Sequence, residues 1–192
     1  MFVISSIVLA RLLSTPSPES PDWSELRTEA LTLLQREERL QQIVKLVGPD
    51  VLPDAQRLIL FIAEIMKDGF LAQSAFDEND MYSTPERQIA LLRIILTLYR
   101  KGRDLIQTGV PLARVRELAC IPQVLRAKSA ISNTETEKLA ELERRVCEEL
   151  DALAKRNGVS FTGGGIWDMS RIWSGMLLVG PCTEITALHH RS

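Results

Sequence analysis

From residue 22 onward the apolar positions recur at helical spacing. Asp22 suits a cap. Leu26, Ala30, Leu33, Leu34, Leu40, Ile43, Val44 and Val47 then fall on one face. Arg27, Glu37, Glu38, Arg39 and Lys45 lie mostly off it. Gly48-Pro49-Asp50 ends this helix, because proline cannot continue it. Pro53 is well placed as the first residue of a second helix. Its stripe is Leu58, Ile62, Ile65 and Met66, and its end is expected near Gly69. The stretch FLAQSAFDENDMY, residues 70–82, is acidic and shows no long period. It reads as an irregular connection with a single helical turn.

Thr84-Pro85-Glu86 is a clean helix start: a cap, a first-position proline and an acid in the first turn. The third helix holds Ile89, Leu91, Leu92, Ile94, Ile95, Leu96, Leu98 and Tyr99. It is apolar nearly all round, which predicts the most buried helix. Gly109 and Pro111 close it. Residues 111–119 predict a short amphipathic helix with Leu112, Val115 and Leu118 inward. Residues 121–131 read only as a brief linking segment. Thr134 and Glu137 have the spacing of a capping box. Leu139, Leu142, Val146, Leu150 and Leu153 follow as one apolar seam among charges, ending near Asn157-Gly158. The pattern therefore predicts an all-α bundle of three to four main helices.

The two ends differ from this middle. MFVISSIVLARLL at the start is apolar but lacks a basic flank and a clear cleavage site. It reads as a packed N-terminal segment rather than a signal peptide. STPSPESP, residues 14–21, is an extended linker. After Gly158 the helical rules fail. Residues 158–192 carry few charges, a Gly163-Gly164-Gly165 run and a possible strand at Met176 to Val179. The organisation expected is a segment at 1–20, a helical domain at 21–157 and a tail at 158–192.

Composition removes several function classes. Lys and Arg total 23 against 25 Asp and Glu, a net charge of −2. That balance gives no global attraction to nucleic acid or to an anionic membrane. With 5% aromatic residues, base-stacking platforms are not expected. No apolar run reaches the length of a membrane span. Cys120, Cys147 and Cys182 are far apart and form no CxxC pair. Cys120 and Cys147 read as small buried hydrophobes.

Catalytic motifs are missing as well. Thr162-Gly163-Gly164-Gly165 has no following lysine, so it reads as a turn rather than a phosphate cradle. Asp77, Glu78 and Asp80 lack the glycine and terminal glutamate of a calcium loop. His189 and His190 are adjacent and near the end of the chain, a poor metal pair. No catalytic or metal site is expected from the residues alone.

Three successive stretches carry a resemblance. The first runs from Pro21-Asp22-Trp23 through Leu33-Leu34-Gln35-Arg36-Glu37 to Leu40-Gln41-Gln42-Ile43-Val44-Lys45-Leu46-Val47-Gly48-Pro49-Asp50. The second comprises Leu52-Pro53-Asp54, Arg57-Leu58-Ile59-Leu60 and Phe70-Leu71-Ala72-Gln73-Ser74-Ala75-Phe76-Asp77. The third is Asp80-Met81-Tyr82-Ser83-Thr84-Pro85-Glu86-Arg87-Gln88. Together they resemble the C-terminal helical domain of the catalytic A subunit of archaeal-type and vacuolar-type rotary ATPases, over about residues 21–157.

The resemblance implies a place in a complex that couples ATP synthesis or hydrolysis to proton or sodium transport. It implies three partners: the B subunit, the central rotor shaft and the nucleotide-binding part of the A subunit. Neither nucleic-acid binding nor membrane insertion is implied; the site of action would be cytoplasmic and peripheral to the membrane. By resemblance, Phe76 forms one wall of the adenine pocket, and Gln73 is a weaker candidate beside it. Ala72-Gln73 replaces a pair of glutamines common in the family, and Ser83 replaces a frequent cysteine. ATP or ADP with Mg belongs to the complete enzyme; no cofactor is expected for this chain alone. Without the phosphate-binding loop, the chain alone is expected to be inactive. The alternative is a stand-alone, non-catalytic helical interaction module derived from that domain.

Overall fold

A computed structural model of the chain describes residues 21–71, 84–132 and 134–159. The long helices are α1 (Pro21–Val47), α2 (Asp54–Met66), α3 (Pro85–Gln107) and α6 (Thr136–Arg156). Two shorter ones, α4 (Leu112–Arg116) and α5 (Ile121–Ala130), lie between α3 and α6 in sequence. A 3-10 turn, Pro49–Val51, joins α1 to α2, and a π turn, Lys67–Leu71, continues α2. Among the described residues there is no strand. The all-α reading with four main helices holds. The expected segment at 1–20, and all but the first two residues of the expected tail at 158–192, lie outside the described residues.

Helix α3 is the centre. It packs on α1, α2, α4, α5 and α6. Leu92, Leu96, Leu98 and Leu105 are wholly buried along it, as its all-round apolar pattern predicts. Its start follows the sequence closely: the Thr84 side chain accepts from the Arg87 amide, and Pro85 holds the first turn. Its end is a Schellman turn. The Val110 amide donates to the Leu105 carbonyl and the Gly109 amide to the Ile106 carbonyl, with Gly109 at φ 94°. The same turn ends α6: Val159 donates to Ala154, Gly158 to Lys155, and Gly158 has φ 68°.

Helix α1 buries Trp23, Leu26, Ala30, Leu33, Glu37 and Leu40. These alternate at three- and four-residue steps, the seam of a helix lying along a bundle. Two expectations are corrected here. Glu37, read as off the apolar face, sits on the seam and pairs with Lys67 at 2.7 Å. Beyond Leu40 the predicted stripe is uncovered: Ile43 and Val47 are exposed, as is Leu46. The apolar period continues there, but among the described residues no partner helix covers it.

Four further details differ from the pattern. Asp22 lies within helix α1 (Pro21–Val47) rather than before it. The second helix does not stop at Gly69; it widens into the π turn through Phe70 and Leu71, both buried. Most of the expected segment at 121–131 is a true helix, Ile121–Ala130, with Ile121, Val124 and Ala127 inward and Pro122 in the first turn. The capping box at Thr134 and Glu137 does not form. Helix α6 begins at Thr136, and the Glu135 carboxylate accepts from the Ser132 amide at 3.1 Å instead.

Ion pairs brace the bundle. From α3, Arg100 pairs with Glu29 on α1, and the next residue, Lys101, pairs with Asp151 on α6 at 2.6 Å. One turn of α3 thereby ties both flanking helices. Each pair is partly exposed, so its net contribution is small. Their effect is on the relative orientation of three long helices.

Candidate functional site

Gln73 and Phe76 lie in residues 72–83, outside the described residues, as does the acidic cluster Asp77, Glu78 and Asp80. Thr162 to Gly165, Cys182 and the His189-His190 pair also lie outside them. The two stems of residues 72–83 are described. The outgoing stem is the π turn. Its Gly69 comes so close to α5 that a Cβ there would lie 3.5 Å from the Leu125 Cα and 3.6 Å from the Val124 carbonyl oxygen. The returning stem is Thr84-Pro85, which starts α3. One turn on, the Arg87 guanidinium is completely buried and donates to the Lys128 carbonyl in the last turn of α5. A cation on the exposed carbonyls of a helix C-terminus is well matched to the local dipole.

A second feature lies at the end of α1. Leu46 is 85% exposed and Val51 68% exposed, with Ile43 and Val47 beside them in sequence. Gly48, at φ 84°, turns the chain here into Pro49–Val51. The result is an apolar tip on an otherwise charged helix, and the periodic pattern alone places half of it in the core.

Three further groups among the described residues have shifted pKa values. The Cys120 thiol is buried, and its pKa is pushed up to about 12 by that burial, with the Glu149 carboxylate adding to the effect. Burial likewise raises the Cys147 thiol. Neither is a ready nucleophile. Cys120 is the buried hydrophobe expected from the sequence, whereas Cys147 is only half-buried. Glu143 is raised by burial, with Arg93 pulling it back. Among the described residues no cluster of His, Cys, Asp and Glu could hold a metal ion. In the same residues, no helix is long and apolar enough to cross a membrane.

What the arrangement offers is a stiff bundle, an apolar tip and an anchored pair of stems. Comparison with known proteins gives these features a context. Residues 16–116 match the family model of the C-terminal domain of V and A type ATP synthase. The chain belongs to this family. It is 46% identical over 132 residues to the V-type ATP synthase alpha chain of Halothermothrix orenii, covering 69% of the chain and 22% of that relative. It is 39% identical over 137 residues to the A-type ATP synthase A subunit of Ignicoccus hospitalis, covering 70% and 23%. The corresponding protein of Methanopyrus kandleri is 39% identical over 132 residues, covering 69% and 22%. The chain thus spans between a fifth and a quarter of the length of these curated relatives. The domain they share is this helical bundle, and the resemblance drawn from the three sequence stretches is correct.

Proposed function

We propose that this domain is the force-transmitting part of the catalytic subunit of a rotary ATP synthase. The similarity to relatives named as the alpha chain or the A subunit carries the reading, and it favours part of a larger subunit over the stand-alone module. In this reading the bundle moves as one body when the catalytic site changes state. The packed α3 core and the bracing from Arg100 and Lys101 support that role, because close-packed side chains pass on displacement rather than absorb it. The apolar tip of α1 is the contact to the rotor shaft. Its exposed Leu46 and Val51 are side chains a docking partner would cover.

Phe76 then forms a wall of the adenine pocket, with Gln73 beside it. An aromatic face stacks on a purine without taking part in chemistry. ATP or ADP with Mg is held by the nucleotide-binding part of the catalytic subunit, and the B subunit is the neighbour in the ring. The assembled complex, peripheral to a membrane, couples ATP turnover to proton or sodium movement.

The test is capture. The purified chain is expected to retain B subunit and rotor shaft on a resin while hydrolysing no ATP. Leu46→Ser with Val51→Ser is expected to lower shaft retention at least roughly fivefold, the factor for about 1 kcal/mol, while leaving the helical signal intact. Failure to capture either partner, or saturable sub-millimolar ATP binding by the chain alone, would overturn the proposal.

A further inference from the structure

We infer that the ion pair between Glu37 and Lys67 is the clasp that positions the apolar tip of α1, with Glu37 as the positioning residue. This rests on the docking role proposed for the tip and adds what holds the tip in place. Helices α1 and α2 pack on each other and are joined by the 3-10 turn Pro49–Val51. Lys67 directly follows α2 and opens the π turn. Its ammonium reaches the Glu37 carboxylate at 2.7 Å, across 30 residues of chain. With the turn at one end and the ion pair at the other, the two helices form an antiparallel hairpin. The pair closes its base, and the exposed Ile43, Leu46, Val47 and Val51 stand toward its turn.

Glu37 occupies a place that an apolar residue would otherwise fill. It lies between Leu33 and Leu40 on the seam and is the one buried acid among the described residues. Leu40 is the last buried residue of α1, and burial resumes at Leu52. Residues 41–47, at about 1.5 Å each, carry α1 roughly 10 Å past Leu40, with the tip on them. Apolar contacts along a seam are non-directional, so they tolerate a slide or a small rotation of one helix on another. A buried carboxylate does not: moved off its cation, it keeps its charge with neither partner nor water. The pair therefore selects one register and one rotation of α1 on α2, and the tip follows. The other cross-helix pairs are less strict. The Glu29 and Asp151 side chains are 26% and 43% exposed against 7% for Glu37, so water can replace their partners.

The experiment follows amide hydrogen exchange in the intact chain and its retention on immobilised rotor shaft. The variants are Glu37→Met, Lys67→Met and the swapped pair Glu37→Lys with Lys67→Glu. In both single variants the amides of residues 41–47 are expected to exchange roughly fivefold faster than in the parent, while those of α3 stay within about twofold. Glu37→Met puts an apolar side chain on an apolar seam, so its Tm should hold or rise. Shaft retention should fall about threefold in both single variants although Leu46 and Val51 are intact, and the swapped pair should recover part of each loss. Unchanged exchange at 41–47 in Glu37→Met, or faster exchange spread evenly over α1, α2 and α3, overturns the inference. So does a swapped pair of native Tm that recovers nothing; if the swapped pair does not fold, the exchange pattern of Glu37→Met decides alone. Leu46→Ser with Val51→Ser separates the two readings. If it lowers retention and Glu37→Met, with its faster exchange, does not, the clasp does not govern docking and the inference falls. If it leaves retention unchanged, the docking reading fails on its own, and exchange at 41–47 still decides the clasp.

Discussion

Gly102 lies in the interior of α3 and is buried. A glycine there costs about 0.8–1.0 kcal/mol relative to alanine, because its backbone loses more freedom on folding. The question is whether the bundle has room for a methyl group. A Cβ at position 102 would meet Leu58 Cδ1 at 3.5 Å, Leu58 Cδ2 at 3.7 Å and Val115 Cγ1 at 3.7 Å. These are ordinary van der Waals contacts with side chains, so nothing has to move. The new methyl also leaves water, worth up to about 0.8 kcal/mol. Gly102→Ala is therefore expected to stabilise the chain by about 1–1.5 kcal/mol. For a chain of this size that raises Tm by about 3–5 °C. Thermal and urea unfolding of the intact chain, followed by circular dichroism, reads both quantities, and the urea slope should not change. Gly102→Val tests the limit, since its extra methyls press on Leu58 and Val115 and should reverse the gain by about 1–3 kcal/mol. A Gly102→Ala chain less stable than the parent refutes the reasoning: α2 and α4 would then approach α3 more closely than those contacts allow.

Two other outcomes follow from burial. Leu92→Ala removes a wholly buried side chain from the centre of α3 and should cost about 2–5 kcal/mol; a loss under about 1 kcal/mol in urea unfolding would place Leu92 outside the core. Glu143 is a carboxyl raised from its ordinary 4.5 by burial. Its folded form holds the proton more tightly than its unfolded form, so its contribution is full below pH 4.5 and is lost as pH rises through the folded value. Glu143→Gln, which resembles the protonated carboxyl, should match the parent in acid and exceed it at neutral pH. Equal urea midpoints at both pH values would show that burial does not govern this group.

Much of the fold was readable because periodicity reports which face is apolar. The seams of α2, α3 and α6 came out correctly for that reason. Periodicity does not report coverage, and so Ile43 and Val47 were placed inside although both are exposed. Glu37 was misplaced for a related reason: its partner Lys67 is 30 residues away, and only the folded chain brings them together. Helix α5 was missed because residues 121–131 were read as a brief segment between longer helices; the three-residue spacing of Ile121, Val124 and Ala127, with Pro122 in the first turn, was the available signal. Thr134 and Glu137 had the right spacing, but Glu135 took the local amide first. The adenine contact proposed for Phe76 rests on the family motif alone, since residues 72–83 lie outside the described residues and a single aromatic leaves no periodic trace. Arg87 gave no sign at all, because a charged residue in a first turn is normally read as solvated.

The short helices are held by residues made at very different times. The Asp54 carboxylate on α2 accepts from the Leu112 amide at the start of α4, 58 residues later, at 2.9 Å. The Glu149 carboxylate on α6 accepts from the Cys120 amide at the start of α5, 29 residues earlier, at 2.9 Å. Five- and ten-residue helices do not persist alone in water. During synthesis, then, α4 meets a cap that already exists, whereas α5 must wait for α6 to leave the ribosome. The cap of α5 therefore comes from residues 117–157, which lie beyond the stretch that the family model matches.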